Sequence, residues 1–183
     1  MSKKMNLAPY HNATKYMAAV NDPTGLYRYS LIRKWGNSKI LVFILLNPST
    51  ATAEVDDPTI ERCIDYAIKW GYNNIEVVNL FAIRLTDSDA LTEVNTPLIG
   101  KENNYYIKRA IKRADKVVLA WGEKGVVKES GKKVLEMLHK YFVSKEMFCL
   151  NILKGGHPQH PLYVKSTAKP VVYPIKEQLK TLQ

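Results

Sequence analysis

The chain reads as a three-layer α/β/α domain on a four-stranded, mostly parallel sheet, with an antiparallel hairpin strand on its N-terminal side. Two observations predict this class. Four apolar runs short enough to be strands (40–45, 75–83, 116–121 and 146–152) alternate with stretches of helical period, and strand–helix alternation demands right-handed crossovers between parallel strands. In addition, each run ends on polar residues: Asn47, Asn79 with Arg84, Trp121-Gly122-Glu123, and Lys154-Gly155-Gly156-His157. Ligands of open α/β sheets bind beyond the carboxyl ends of the strands, so these exits predict one shared pocket.

Residues 1–25 show no sustained period and close on Asn21-Asp22-Pro23-Thr24-Gly25, a turn cluster. They read as a leader or loose cover, leaving 26–183 as a single domain. Tyr27 to Trp35 has strand composition, and Gly36-Asn37-Ser38 predicts a hairpin turn into the first central strand. That strand, Ile40 to Leu45, is apolar throughout, as in a strand buried on both faces. Segment 57–71 is the clearest helix. Asp57 caps it, Pro58 takes the first helical position and Gly71 ends it. Ile60, Cys63, Ile64, Ala67 and Ile68 form its core-facing stripe.

The second strand, 75–83, leads through the turn-rich 85–98 to a helix over 101–114, whose polar face carries Lys101, Lys108, Lys112 and Arg113. The third strand, a helix over 126–142 and the fourth strand follow. Pro170 to Pro174 reads as a short edge element, since its prolines cannot donate to a ladder.

Composition narrows the function. The 27 Lys and Arg against 17 Asp and Glu leave a net charge of +10, which suits a polyanion such as DNA but equally describes an unengaged basic surface. Cys63 and Cys149 are too few for a disulfide framework, zinc site or iron–sulfur cluster, and both read as buried thiols. Met1-Ser2-Lys3-Lys4 is not followed by the apolar segment of a signal peptide, and no long apolar stretch exists. The expectation is a cytoplasmic monomer without metal or other cofactor. Phosphate-binding glycine loops and a Gly-x-Ser-x-Gly elbow are absent from the sequence.

Three positions carry candidate chemistry. Asn47 lies before Pro48, which is also common turn chemistry. Asn79 interrupts an otherwise apolar strand. A buried amide without partners costs about 1–3 kcal/mol, so it either bonds a neighbouring loop or reads a ligand, and its paired donor and acceptor suit a nucleobase edge. The loop Gly155 to Tyr163 holds His157 and His160, each followed, directly or at once in the chain, by a proline that stiffens it. A stiff loop presenting a neutral imidazole N–H suits charge developing on an oxygen, and a plain proline-rich turn with exposed histidines stands beside that reading. Asp56-Asp57 reads better as a helix start than as a catalytic pair.

Taken in order, Asn47-Pro48, Asn79, Val118-Leu119-Ala120-Trp121-Gly122 and His160-Pro161-Leu162 resemble the motifs of the uracil-DNA glycosylase superfamily. Leu46-Asn47-Pro48-Ser49-Thr50, Asn79-Leu80-Phe81-Ala82, Trp121-Gly122 and His160-Pro161-Leu162-Tyr163 more closely resemble a bacterial and phage family of unassigned function, over about residues 27 to 164. The first resemblance implies a glycosylase-like fold and hydrolysis of the N-glycosidic bond of a damaged or modified base. In it Asn47 holds the attacking water, His160 meets charge on the base oxygen, and Asn79 reads the flipped base. Phe81, Trp121 and Tyr66 are stacking candidates, and Ser49, Thr50, Arg84, Lys154, His157, Lys101 and Lys108 are candidates for the nucleic-acid backbone. The sequence departs from the superfamily pattern at Leu45, Ser49 and Leu162-Tyr163, where glycines and a Ser-Pro pair are expected, and His157-Pro158 offers a second register. A non-catalytic nucleic-acid-binding module and a nucleoside or nucleotide hydrolase are the alternatives.

Overall fold

The predicted strands assemble side by side in a computed structural model that describes residues 5–37 and 39–182. Four parallel strands form the middle of the sheet: β3 (Leu41–Leu45), β4 (Asn74–Asn79), β5 (Lys116–Leu119) and β6 (Met147–Cys149). Leu41 lies opposite Ile75 on one side and Lys116 on the other. Three antiparallel strands extend this core: β1 (Tyr16–Asn21), β2 (Arg28–Lys34) and β7 (Val171–Val172). The full order is β1-β2-β4-β3-β5-β6-β7, so the sheet has seven strands rather than the four expected.

Two expectations about the N-terminal region change. β2 does not fold back onto β3; it runs antiparallel to β4 and β1. β3 is buried at all five positions and β4 at all but its first, so both need neighbours on each side. Placing β4 between β2 and β3 satisfies both. The Gly36-Asn37-Ser38 turn lies partly outside the described residues, because Ser38 does. Residues read as a loose cover contain α1 (Ala8–His11) and the edge strand β1. Tyr10, 1% exposed, donates its hydroxyl to Asp56 at 2.8 Å, and Asp56 pairs with buried Arg33 at 2.6 Å. Met1-Ser2-Lys3-Lys4 lies outside the described residues.

Helices cover both faces of the sheet. On one, α2 (Pro58–Lys69) buries Ile60, Cys63, Ile64 and Ala67 against Leu41, Phe43 and Val77. On the other, α3 (Asn103–Arg113) and α4 (Ser130–Tyr141) pack Ile107, Ile111, Leu135 and Leu138 over Val42, Ile44 and Val117. A fully buried aliphatic side chain of this kind contributes about 1.5–3 kcal/mol. Asp57 caps α2 as expected, accepting the Ile60 N–H at 2.9 Å. α4 starts later than its apolar pattern suggests, because Glu123–Glu129 forms a tight turn in which Lys128 and Glu129 are left-handed. α5 (Ile175–Thr181) packs against α4. Cys63 and Cys149 are free and buried, and burial pushes both thiol pKa values up, that of Cys149 to about 11. No helix among the described residues is long and apolar enough to cross a membrane.

Candidate functional site

A cleft of about 660 Å³ opens at the carboxyl edge of the parallel strands. β3 and β5 are neighbours, but the chain leaves β3 toward β4 on one side and leaves β5 toward β6 on the other. Such a reversal of direction is where open α/β sheets place their ligands. The exits of β3 and β5 bring Asn47, Ser49, Thr50, Trp121 and Gly122 to the cleft, β4 contributes Asn79, and the loop after β6 contributes His160 and Tyr163.

Asn47 is held by its own amide. Nδ2 donates to the Pro48 carbonyl at 2.9 Å and to the Leu85 carbonyl at 2.8 Å, which leaves Oδ1 as the free acceptor of a residue that lines the cleft. Asn79 is 2% exposed. Its backbone carbonyl accepts from Asn103 at 2.9 Å, yet its side-chain amide meets no hydrogen-bond partner among the described residues, and it borders the cleft.

His160 sits where the Pro-stiffened loop crosses the end of β5. Gly122 donates its N–H to the Pro158 carbonyl at 2.8 Å. Gly122 has φ of 78°, and a Cβ there would lie 3.4 Å from that of His160, so glycine allows both the backbone conformation and the approach. The His160 Nδ1 accepts from the Leu162 N–H at 3.4 Å, which assigns the remaining proton to Nε2. Burial lowers the His160 pKa to about 4, against a smaller opposing pull from Asp57. At neutral pH the group is therefore an uncharged imidazole with an N–H to donate.

His157 is not in the cleft. It is buried behind Trp121, whose Nε1–H donates to His157 Nδ1 at 3.4 Å. Of the two histidines, His160 borders the cleft and His157 does not.

Several expected contacts are not brought to the cleft. Phe81 is fully buried in the core under α3. Tyr66 is fully buried too, and its hydroxyl donates to the carbonyls of Val164 and Lys165 at 3.1 Å, pinning the loop beyond His160. Trp121 reaches the cleft at 1% exposure, wedged beneath Gly125 and Gly131. Arg84 lies partly buried against the Gly25 carbonyl, and Lys154 is exposed outside the cleft. The lysine face of α3 also lies off the cleft. Lys101 precedes the helix, Lys108 stands 4.0 Å above the Tyr141 ring, Lys112 is exposed and Arg113 pairs with Glu76 at 2.6 Å.

Cations within the cleft come from residues that sequence reasoning passed over, Arg28 and Lys124. Arg28, 3% exposed, donates Nη1–H to the Ala51 carbonyl while its Nε is buried without a partner. Burial lowers its pKa to about 10, with Asp57 pulling it back up. Lys124 bonds Ser88 at 2.7 Å and pairs with Asp89 across the rim. The missed signal was an arginine within a strand-like run, the same kind of interruption that marked Asn79. Asp57 also borders the cleft, with Oδ2 accepting from the Ala51 N–H at 3.3 Å. No group of three or more His, Cys, Asp or Glu among the described residues is placed to hold a metal ion.

No curated protein and no solved structure matches the chain significantly. A family model does match, over residues 28–162, a span that holds Arg28, Asn47, Asn79, Trp121 and His160. On that match the chain belongs to the family described as Protein of unknown function (DUF1643).

Proposed function

We propose that the cleft hydrolyses an N-glycosidic bond, acting as a DNA glycosylase-like enzyme on a damaged or modified base. One observation carries the reading: Asn79, 2% exposed and with no side-chain hydrogen bond among the described residues, borders the same cleft as Asn47 and a neutral His160. The superfamily resemblance of the same three residues supports it. In the reaction, Asn79 pairs with the edge of an extruded base. The C–N bond breaks with its electron pair going to the base, and the Nε2–H of His160 stabilises the charge on the base oxygen. Asn47 Oδ1 accepts a hydrogen bond from the water whose oxygen bonds the sugar carbon, and the water's proton leaves to solvent or to the departing base.

A second reading, hydrolysis of a free nucleoside or nucleotide, is favoured by one feature. The cleft holds one buried cation, Arg28, with Lys124 on its rim, while the lysines of α3 lie off the cleft.

Single-turnover base release from a panel of modified oligonucleotides and nucleosides tests both. With an oligonucleotide substrate, His160→Ala lowers the rate by about 10²–10³. Asn47→Ala slows release without weakening binding, His157→Ala is much milder, and Asn79→Asp changes which base is accepted. Wild-type rates in all four variants would refute these roles. Release from nucleosides alone, with binding insensitive to salt, selects the second reading.

A further inference from the structure

We infer that Arg28 is the docking point for a terminal phosphate, so that the cleft's ligand is a phosphomonoester of a nucleoside rather than an uncharged nucleoside. The inference rests on the cleft being the ligand site proposed above, but not on which bond is cleaved.

The argument begins with a charge that lacks its counter-ion. Arg28 is 3% exposed and borders the cleft, yet among the described residues it forms no ion pair. A buried cation without a paired anion is costly. Its hydrogen bonding is also one-sided. Nη1 is committed to the Ala51 carbonyl, Nε has no acceptor, and no acceptor among the described residues meets Nη2. Nε and Nη2 form the side-on edge of a guanidinium, whose two parallel N–H groups match two oxygens of one phosphate or carboxylate. Nucleotides carry that oxyanion as phosphate.

A second feature points the same way. Pro58, Thr59 and Ile60, the first turn of α2, line the same cleft, and a helix N-terminus carries partial positive charge. Asp57 offsets part of this field. Its two oxygens, however, already accept the N–H groups of Ile60 and Ala51, and it leaves the side-on edge of Arg28 unpaired. Depth decides between kinds of phosphate. An internal phosphodiester must lead chain away on both sides, whereas a terminal phosphate reaches a buried edge from one side.

The test is binding to the intact protein, measured by calorimetry. The ligands are a nucleoside monophosphate, its nucleoside, and an oligonucleotide with either a 5′-phosphate or a 5′-hydroxyl. The monophosphate is expected to bind about 10–100-fold more tightly than the nucleoside, the range of a charge-assisted pair. Arg28→Lys keeps the charge without the fork, and the preference should fall to a few-fold. Because Arg28 also holds the Ala51 carbonyl, the wild-type ligand ratio and the shift of the Arg28 Nε–H resonance on adding monophosphate stand independently of the variant. A larger gain for the 5′-phosphorylated oligonucleotide identifies a DNA end as the source, and a gain confined to the monophosphate identifies a free nucleotide. Equal affinity for monophosphate and nucleoside, with an unmoved resonance, overturns the inference even if base release occurs. Arg28-dependent phosphate binding without base release leaves the inference standing and overturns the hydrolase.

Discussion

At the residue scale, polar side chains set into apolar strands mark the site. Asn79 stood out in the sequence because an amide between valines and leucines needs a partner, and the structure places it at the border of the cleft. Arg28 did not, since arginine and tyrosine are ordinary on a half-exposed strand, and only the fold brings its guanidinium against the Ala51 carbonyl in the loop after β3 and buries it. His160 and His157 look alike in sequence, and only the turn carrying Trp121 separates the cleft residue from the buried one. The state of His160 gives a measurable consequence. Its folded pKa of about 4 lies below the ordinary 6.5, so between those values the unfolded chain binds more protons than the folded one. Stability from this group is complete above pH 6.5 and is lost as the pH falls toward 4. His160→Asn, which keeps an acceptor for the Leu162 N–H, should flatten urea-unfolding stability across that window relative to wild type. An imidazole proton resonance with a midpoint near 6.5 would contradict this placement.

At the element scale, the central elements and the Pro-bounded edge strand β7 were readable, whereas β1 was not. α2 announced itself through Asp57, Pro58 and a clean apolar stripe, because one face meets the sheet and the other meets water. β1 carries no such signal. None of its residues is fully buried, so no alternation is imposed on Tyr16-Met17-Ala18-Ala19-Val20-Asn21. The turn at 123–129 was equally hidden, being shaped by contact with Trp121 rather than by local propensity. A Cβ on Gly125 would fall 2.3 Å from Trp121 Cδ1 and 2.5 Å from its Nε1. Gly125→Ala should therefore push the indole off its seat and cost about 1–3 kcal/mol. Loss of the Trp121–His157 hydrogen bond would accompany it. Unchanged thermal unfolding and tryptophan fluorescence would show that the wall of the cleft is softer than the packing indicates.

At the scale of the whole molecule, the class of fold followed from the alternation of strand and helix, while the width of the sheet did not, since its added strands are antiparallel edges. The order β2-β4-β3 has a kinetic consequence. β2 and β3 are joined by a short connection, residues 35–40, yet the finished sheet forbids their pairing and inserts a strand made later. Local hairpins close in about 1–10 μs, so the nascent chain samples a wrong partner before β4 arrives by way of α2. If productive folding waits for that crossover, α2 belongs to the rate-limiting ensemble. Removing its cap with Asp57→Ala, at about 0.5–2 kcal/mol, should therefore slow refolding by nearly the whole of the lost stability and leave the unfolding limb of the chevron unmoved. An order of strands that looks like a detail of architecture thus sets the sequence of events by which the cleft comes into being.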